Sequence, residues 1–158
     1  MTQGTTDWIK TRADEIRRIE KERKAEKERQ LEAAIALKAR LEPFWNELVT
    51  YLDQSAGAFN VEFPEPERRI NEVTRPSPAV IVIKRSAHPS ATVKAQLNTT
   101  GTTVNYTVSR TLRKGTEPVE KLGSCSFGVV DDAIVYTDGG VSQHEDVAKI
   151  LFEPFFEF

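Results

Sequence analysis

The sequence predicts an α+β fold: a long N-terminal helix kinked or broken near Pro43, an antiparallel sheet of five or six strands, and a C-terminal helix, with both helices packed on one face of the sheet. Three observations predict it. From Asp7 to Leu52 the chain has no Gly, a single Pro and a middle built almost wholly of Lys, Arg and Glu, all good helix formers. From about Phe59 onward the apolar period drops to two, as strands with one buried and one wet face require. After Asp138-Gly139-Gly140 a helical period returns through Val147, Ile150, Leu151, Pro154, Phe155 and Phe158.

Thr6 or Asp7 is placed to cap the first helix, its side-chain oxygen taking a free N–H of the first turn. Ile9, Ile16 and Ile19 then mark a narrow apolar stripe that disappears from Glu20 to Gln30, where only Ala25 is apolar. That stretch can stay helical through pairs such as Glu20 with Lys24 and Glu26 with Arg29, each contributing about 0.2–0.5 kcal/mol. The residues before Pro43 could reach roughly 50 Å at the helical rise of about 1.5 Å per residue, longer than a compact domain needs. Residues 1–30 are therefore read as a protruding charged extension and residues 31–158 as one domain, comprising helix 31–54, sheet 59–137 and helix 142–157.

From Leu31 the periodicity returns through Ala34, Ile35, Lys38, Leu41, Trp45, Leu48 and Leu52, so this half packs on something. Pro43 lacks an N–H and crowds the preceding turn; the apolar phase survives across it, which favours a kink over a break. Ser55-Ala56-Gly57 is read as the helix end. The clearest strands are 79–85, 91–98, 102–110, 123–130 and 133–137, with 59–63 and parts of 68–74 weaker. Thr99-Thr100-Gly101 and Asp131-Asp132 fall where hairpin turns would join their neighbours, which makes an antiparallel meander. Ser142 and Glu145 have the spacing of a capping box for the last helix. Glu-Pro-Phe occurs at 42–44 and at 153–155, read as two similar helix ends docking on one sheet.

An apolar fraction of 39% in 158 residues suffices for one core. Residues 122–158 carry one Lys against seven acids, so a basic helix middle could be drawn to an acidic face of a second copy. The single Cys125 excludes an intrachain disulfide and points to a reducing compartment. With no signal-like segment and no apolar run near the ~20 residues of a membrane span, the expectation is a cytoplasmic protein with no membrane contact, and the sequons at Asn98 and Asn105 carry no glycosylation.

No residue pattern calls for a metal, a cofactor or a catalytic role. His88 and His144 are read as surface residues, and Cys125 as a small buried side chain. Asp131, Asp132 and Asp138 occupy turn positions where Asp hydrogen-bonds locally. Seven cations between Arg17 and Arg29 are interleaved with four glutamates, which argues against a phosphate-tracking face and for a solvated rod or the flank of a coiled coil. The polar strand face has no aromatic on which a base would stack. The expected function is a non-catalytic interaction or assembly module whose partner, another protein or a second copy, is contacted by Trp8, Ile9, Ile16 and Ile19, with Arg12, Arg18 and Arg23 as flanking charges. The alternative is a small apolar-ligand-binding domain with a cavity lined by Trp45, Leu48, Val104, Tyr106, Val108 and Phe127. Phe152, Phe155, Phe156 and Phe158 supply more apolar area than a short helix hides; either some of it is an interface or the kinked first helix covers it.

Overall fold

The computed structural model describes residues 3–98, 102–131 and 133–158, residues 3–5 by backbone alone. The elements run α1 (Gln3–Glu62), β1 (Glu72–Ser77), β2 (Val80–Arg85), β3 (Ser90–Asn98), β4 (Thr103–Thr111), β5 (Val119–Val130), β6 (Ala133–Tyr136), α2 (His144–Phe152) and a 3-10 turn (Glu153–Phe156). This is the α+β class the sequence predicts. The chain divides into two compact units, Met1–Ala39 and Arg40–Phe158.

The first unit is helical from Gln3. Neither Thr6 nor Asp7 therefore caps it: Gly4, Thr5 and Thr6 are weak helix formers, but a first turn tolerates them. Charged pairs one turn apart line its surface, Arg12–Glu15 at 3.1 Å, Arg17–Asp14 at 3.3 Å and Arg29–Glu26 at 2.7 Å, with Arg18–Glu22 at 3.7 Å. The hydrogen bond from Arg29 holds the Glu26 carboxyl below the usual range.

In the second unit Leu41, Trp45, Leu48, Leu52, Ala56 and Phe59 are buried at steps of three and four, the core-facing stripe of an amphipathic helix. Pro43 lies inside α1 without ending it, although it has no N–H to offer the Ala39 carbonyl. The helix also runs past the predicted stop at Ser55-Ala56-Gly57, and residues 59–62, predicted as strand, are its last turn. Two contacts explain this. Phe59 joins the buried face, and Asn60 exchanges two hydrogen bonds with the backbone of Ile70, receiving one from its N–H at 2.7 Å and donating one to its carbonyl at 3.0 Å. Gly57 costs the helix only about 1 kcal/mol. As a result Glu42-Pro43-Phe44 is helix interior, whereas Glu153-Pro154-Phe155 forms the 3-10 turn; the two tripeptides do different jobs.

The six strands pair only with their sequence neighbours, in the order β1 to β6, all antiparallel. Cross-strand rows build the inner face: Ile83–Val93–Val108 and Ile81–Ala95–Tyr106–Gly123, then Val104–Cys125, then Phe127–Tyr136. A Cβ on Gly123 would collide with the Tyr106 ring lying across it, so the glycine allows a close approach that any larger residue would force the ring to give up. The predicted turn at Thr99-Thr100-Gly101 lies outside the described residues, as does Asp132. At the β5–β6 turn, Val130 pairs with Ala133 and Asp131 takes the left-handed conformation (φ 50°), as a two-residue hairpin demands.

The cap of α2 falls one residue later than predicted. Asp146, in place of Glu145, accepts from the N–H groups of Ser142 (2.9 Å) and Gln143 (3.2 Å) and from the Ser142 hydroxyl (3.0 Å). These bonds hold its carboxyl below the usual range.

Candidate functional site

The N-terminal helix presents the predicted contact residues to the surroundings. Trp8 is 65% exposed, Ile9 51% and Ile16 43%, with Ile19 half-buried. Leu31 and Ile35, further along the same helix, are also exposed. Arg12 and Arg23 fall on the face of the stripe and Arg18 on the opposite face; all three are exposed, Arg12 and Arg18 tied to Glu15 and Glu22 on the helix itself.

A groove of about 330 Å3 runs between the last turns of α1 and α2, lined by Tyr51, Ala58, Phe59, Phe63, Phe152 and Phe156, with Glu62, Glu145 and Lys149 among its other walls. Its aromatic end is a cluster. Phe59 packs on Phe63 (centroids 4.9 Å) and edge-on to Phe156 (5.2 Å), and Phe63 packs on Phe158 (5.0 Å). Phe152 and Phe155 are buried, while Phe156 and Phe158 remain 52% and 53% exposed. The surplus aromatic area expected at the C-terminal end is thus divided: one pair completes the core and the other pair lines open surface.

That end is pinned by a buried cation that no sequence motif marks. Arg85 continues the inward alternation of Ile81 and Ile83 and is fully buried. Its Nε donates to the carbonyl of Pro89 (3.0 Å), one terminal nitrogen to those of Arg68 (3.1 Å) and Phe155 (2.7 Å), and the other to that of Glu157 (2.9 Å). The rings of Phe155 and Phe158 lie 5.8 and 5.6 Å from the guanidinium carbon. Burial lowers its pKa, but a guanidinium stays protonated. An ion pair of Arg110 with Glu157 also holds the last residues. Arginine in register with buried aliphatics was the available signal.

His144 is not the surface residue the sequence suggests. It opens α2 half-buried against the Phe44 ring (centroids 5.0 Å), its Nδ1 lies 2.7 Å from the Tyr136 hydroxyl, and its Nε2 lies 3.6 Å from Glu47. A neutral imidazole accepting from the Tyr136 O–H and turning Nε2–H to Glu47 satisfies all three groups. Desolvation lowers the His144 pKa, opposed by Glu47, and burial raises that of Tyr136, so this chain of groups holds its protons where they are near neutral pH. The unfolded imidazole titrates near 6.5, above the folded one. Stability is therefore complete above that value and is lost as pH falls through it toward the folded pKa, because the unfolded chain takes the proton first. The urea midpoint is expected to drop between pH 7.5 and 5.0, and by less in His144→Gln; equal drops would contradict the assignment.

Of the predicted cavity residues, Trp45, Leu48, Val104, Val108 and Phe127 are buried in the core, and the Trp45 indole donates to the Pro78 carbonyl at 2.8 Å. Tyr106 and Val108 also line a cleft of about 310 Å3 between β4, β5 and the C-terminal turn, facing Ile150 and Pro154. Cys125 is buried beside Phe127, and burial pushes its thiol up. Asp138 accepts from the Ser126 N–H on β5 at 2.7 Å, a partner twelve residues away in place of the local turn bond expected of it. His88 is exposed, before a cis bond to Pro89. Among the described residues no three His, Cys, Asp or Glu side chains are grouped to hold a metal ion, and no helix is long and apolar enough to cross a membrane. No family model, curated protein or solved structure matches the chain.

Proposed function

We propose that this protein is a non-catalytic assembly module whose contact element is its N-terminal helix. The observation that carries the reading is the exposure of Trp8, Ile9 and Ile16 on a helix that holds its own charged pairs. Such pairs contribute only about 0.2–0.5 kcal/mol each, and most helical stability in proteins comes from packing of an apolar face. Burying one such side chain contributes about 1.5–3 kcal/mol, enough in combination to order the helix and join two chains. The flanking Arg12, Arg18 and Arg23 set register and orientation more than affinity.

Ile9→Asp with Ile16→Asp in the full chain is expected to lower the solution mass by light scattering and leave the circular dichroism of the sheet unchanged. Retention of the wild-type mass would contradict the reading.

The cleft that Tyr106, Val108, Ile150 and Pro154 line together with Arg110, Lys121, Glu153 and Glu157 supports a second reading, a site for a small ligand that pairs an apolar body with a polar group. A panel of small aromatic and aliphatic compounds that raises the melting temperature would favour it; no shift with any member would count against it.

A further inference from the structure

Charge is segregated between the elements of this chain. Residues 10–29 of α1 hold nine cations and six acids, while the helical layer of the second unit, residues 40–62 and 142–158, holds two cations, Arg40 and Lys149, and eight acids. Lys149 is in turn occupied by Glu145 at 3.5 Å. The basic element carries an exposed apolar stripe, and the acidic layer carries the aromatic groove. A trough between two helices is the shape that accepts a third amphipathic helix, its apolar residues two turns apart entering the trough and its charges meeting the walls. Ile9 and Ile16 have that spacing, and Arg12 lies between them.

We propose that the groove bounded by Phe59, Phe63, Phe152 and Phe156 is the receptor for the N-terminal helix of a second copy of this chain. The inference rests on the assembly reading and adds to it the site on the partner. The apolar stripe seats against the four rings, and Arg12, on the same helix face as Ile9 and Ile16, meets the wall that Glu62 contributes in the other copy. Reciprocal exchange of helices between two copies gives a closed dimer with two equivalent contacts.

Two full-chain variants test it. Ile16→Asp disables the helix and spares the groove. Ala58→Arg places a long cation in the groove from an exposed helical position with no core partner, and spares the helix. A second groove variant, Phe156→Ser, changes a ring that is 52% exposed. Each variant alone is expected to run as a monomer where the wild type is a dimer, with the melting temperature of the sheet domain unchanged in Ile16→Asp and Ala58→Arg and lowered in Phe156→Ser, which loses its packing on Phe59. An equimolar mixture of Ile16→Asp and Ala58→Arg is expected to recover dimer, because one intact helix then meets one intact groove. If both groove variants stay dimeric while Ile16→Asp does not, the helices pair with each other: the assembly reading stands and this inference falls. If the groove variants dissociate and Ile16→Asp does not, or if the mixture stays monomeric, the inference also falls. A wild type that is monomeric, or three variants that all remain dimers, overturns both.

Discussion

Replacing Arg85 with Met is expected to destabilise the second unit by about 3 kcal/mol or more and to release the C-terminal residues. The guanidinium serves four carbonyls at once, and the Phe155 carbonyl lies where water does not reach. A hydrogen bond to a charged donor contributes about 1.5–3 kcal/mol, and a buried acceptor left without a partner costs about 1–3 kcal/mol. Methionine matches the stem but supplies none of these donors. Lysine is expected to rescue only in part, because a single ammonium cannot reach carbonyls approached by three different nitrogens of a planar fork. Urea midpoints give the magnitude. Amide exchange gives the location, with protection falling first at the Glu157 N–H, which is bonded to the Pro154 carbonyl. A midpoint within 1 kcal/mol of wild type would mean that the buried charge contributes nothing net.

Trp45→Ala carries the other large expected loss, about 3–5 kcal/mol. The indole is the largest fully buried side chain among the described residues and sits on the α1 stripe between Leu41 and Leu48. Removing it leaves a cavity that a six-stranded sheet on one side and a continuous helix on the other cannot easily collapse to fill. A domain's whole stability is about 5–15 kcal/mol, so this one change can bring the unit close to unfolding at 37 °C. Trp45→Phe keeps most of the apolar area and loses the bond to Pro78, whose residue is exposed and can be hydrated; about 1–2 kcal/mol is expected. Equal losses for Ala and Phe would point to the hydrogen bond as the main contribution.

Much of the fold can be read from residue periodicity alone. Leu41, Trp45, Leu48 and Leu52 repeat at helical spacing through a proline, and Val93, Ala95, Val104 and Val108 alternate at strand spacing, so their elements follow from pattern. The stretch Phe59–Phe63 alternates in the same way and is nonetheless helical through Glu62. Its period of two is accidental, since Phe59 also lies three residues past Ala56 on the buried face, and the Asn60–Ile70 bonds that hold the turn depend on a residue ten positions away. Local propensity is a weak prior that tertiary packing overrides.

The site divides along the same line. An apolar stripe on a charged helix is a local property, and Trp8, Ile9 and Ile16 are exposed as their pattern suggests. The groove is not local: Phe59 and Phe156 come from opposite ends of the second unit and meet only after the sheet has formed between them. Nor is the Glu47–His144–Tyr136 chain, whose members share no sequence motif and lie on three elements. Arg85 was legible in principle, because its strand register places a cation on the apolar face, where burial demands acceptors.

Solution mass is the most direct test of the central claim, measured by light scattering behind a sizing column for the full chain and for a chain beginning at Gln30. The assembly reading predicts a dimer or larger for the full chain and a monomer for the shortened one. The same number of chains per particle in both would contradict it and would leave the N-terminal helix without the role assigned to it.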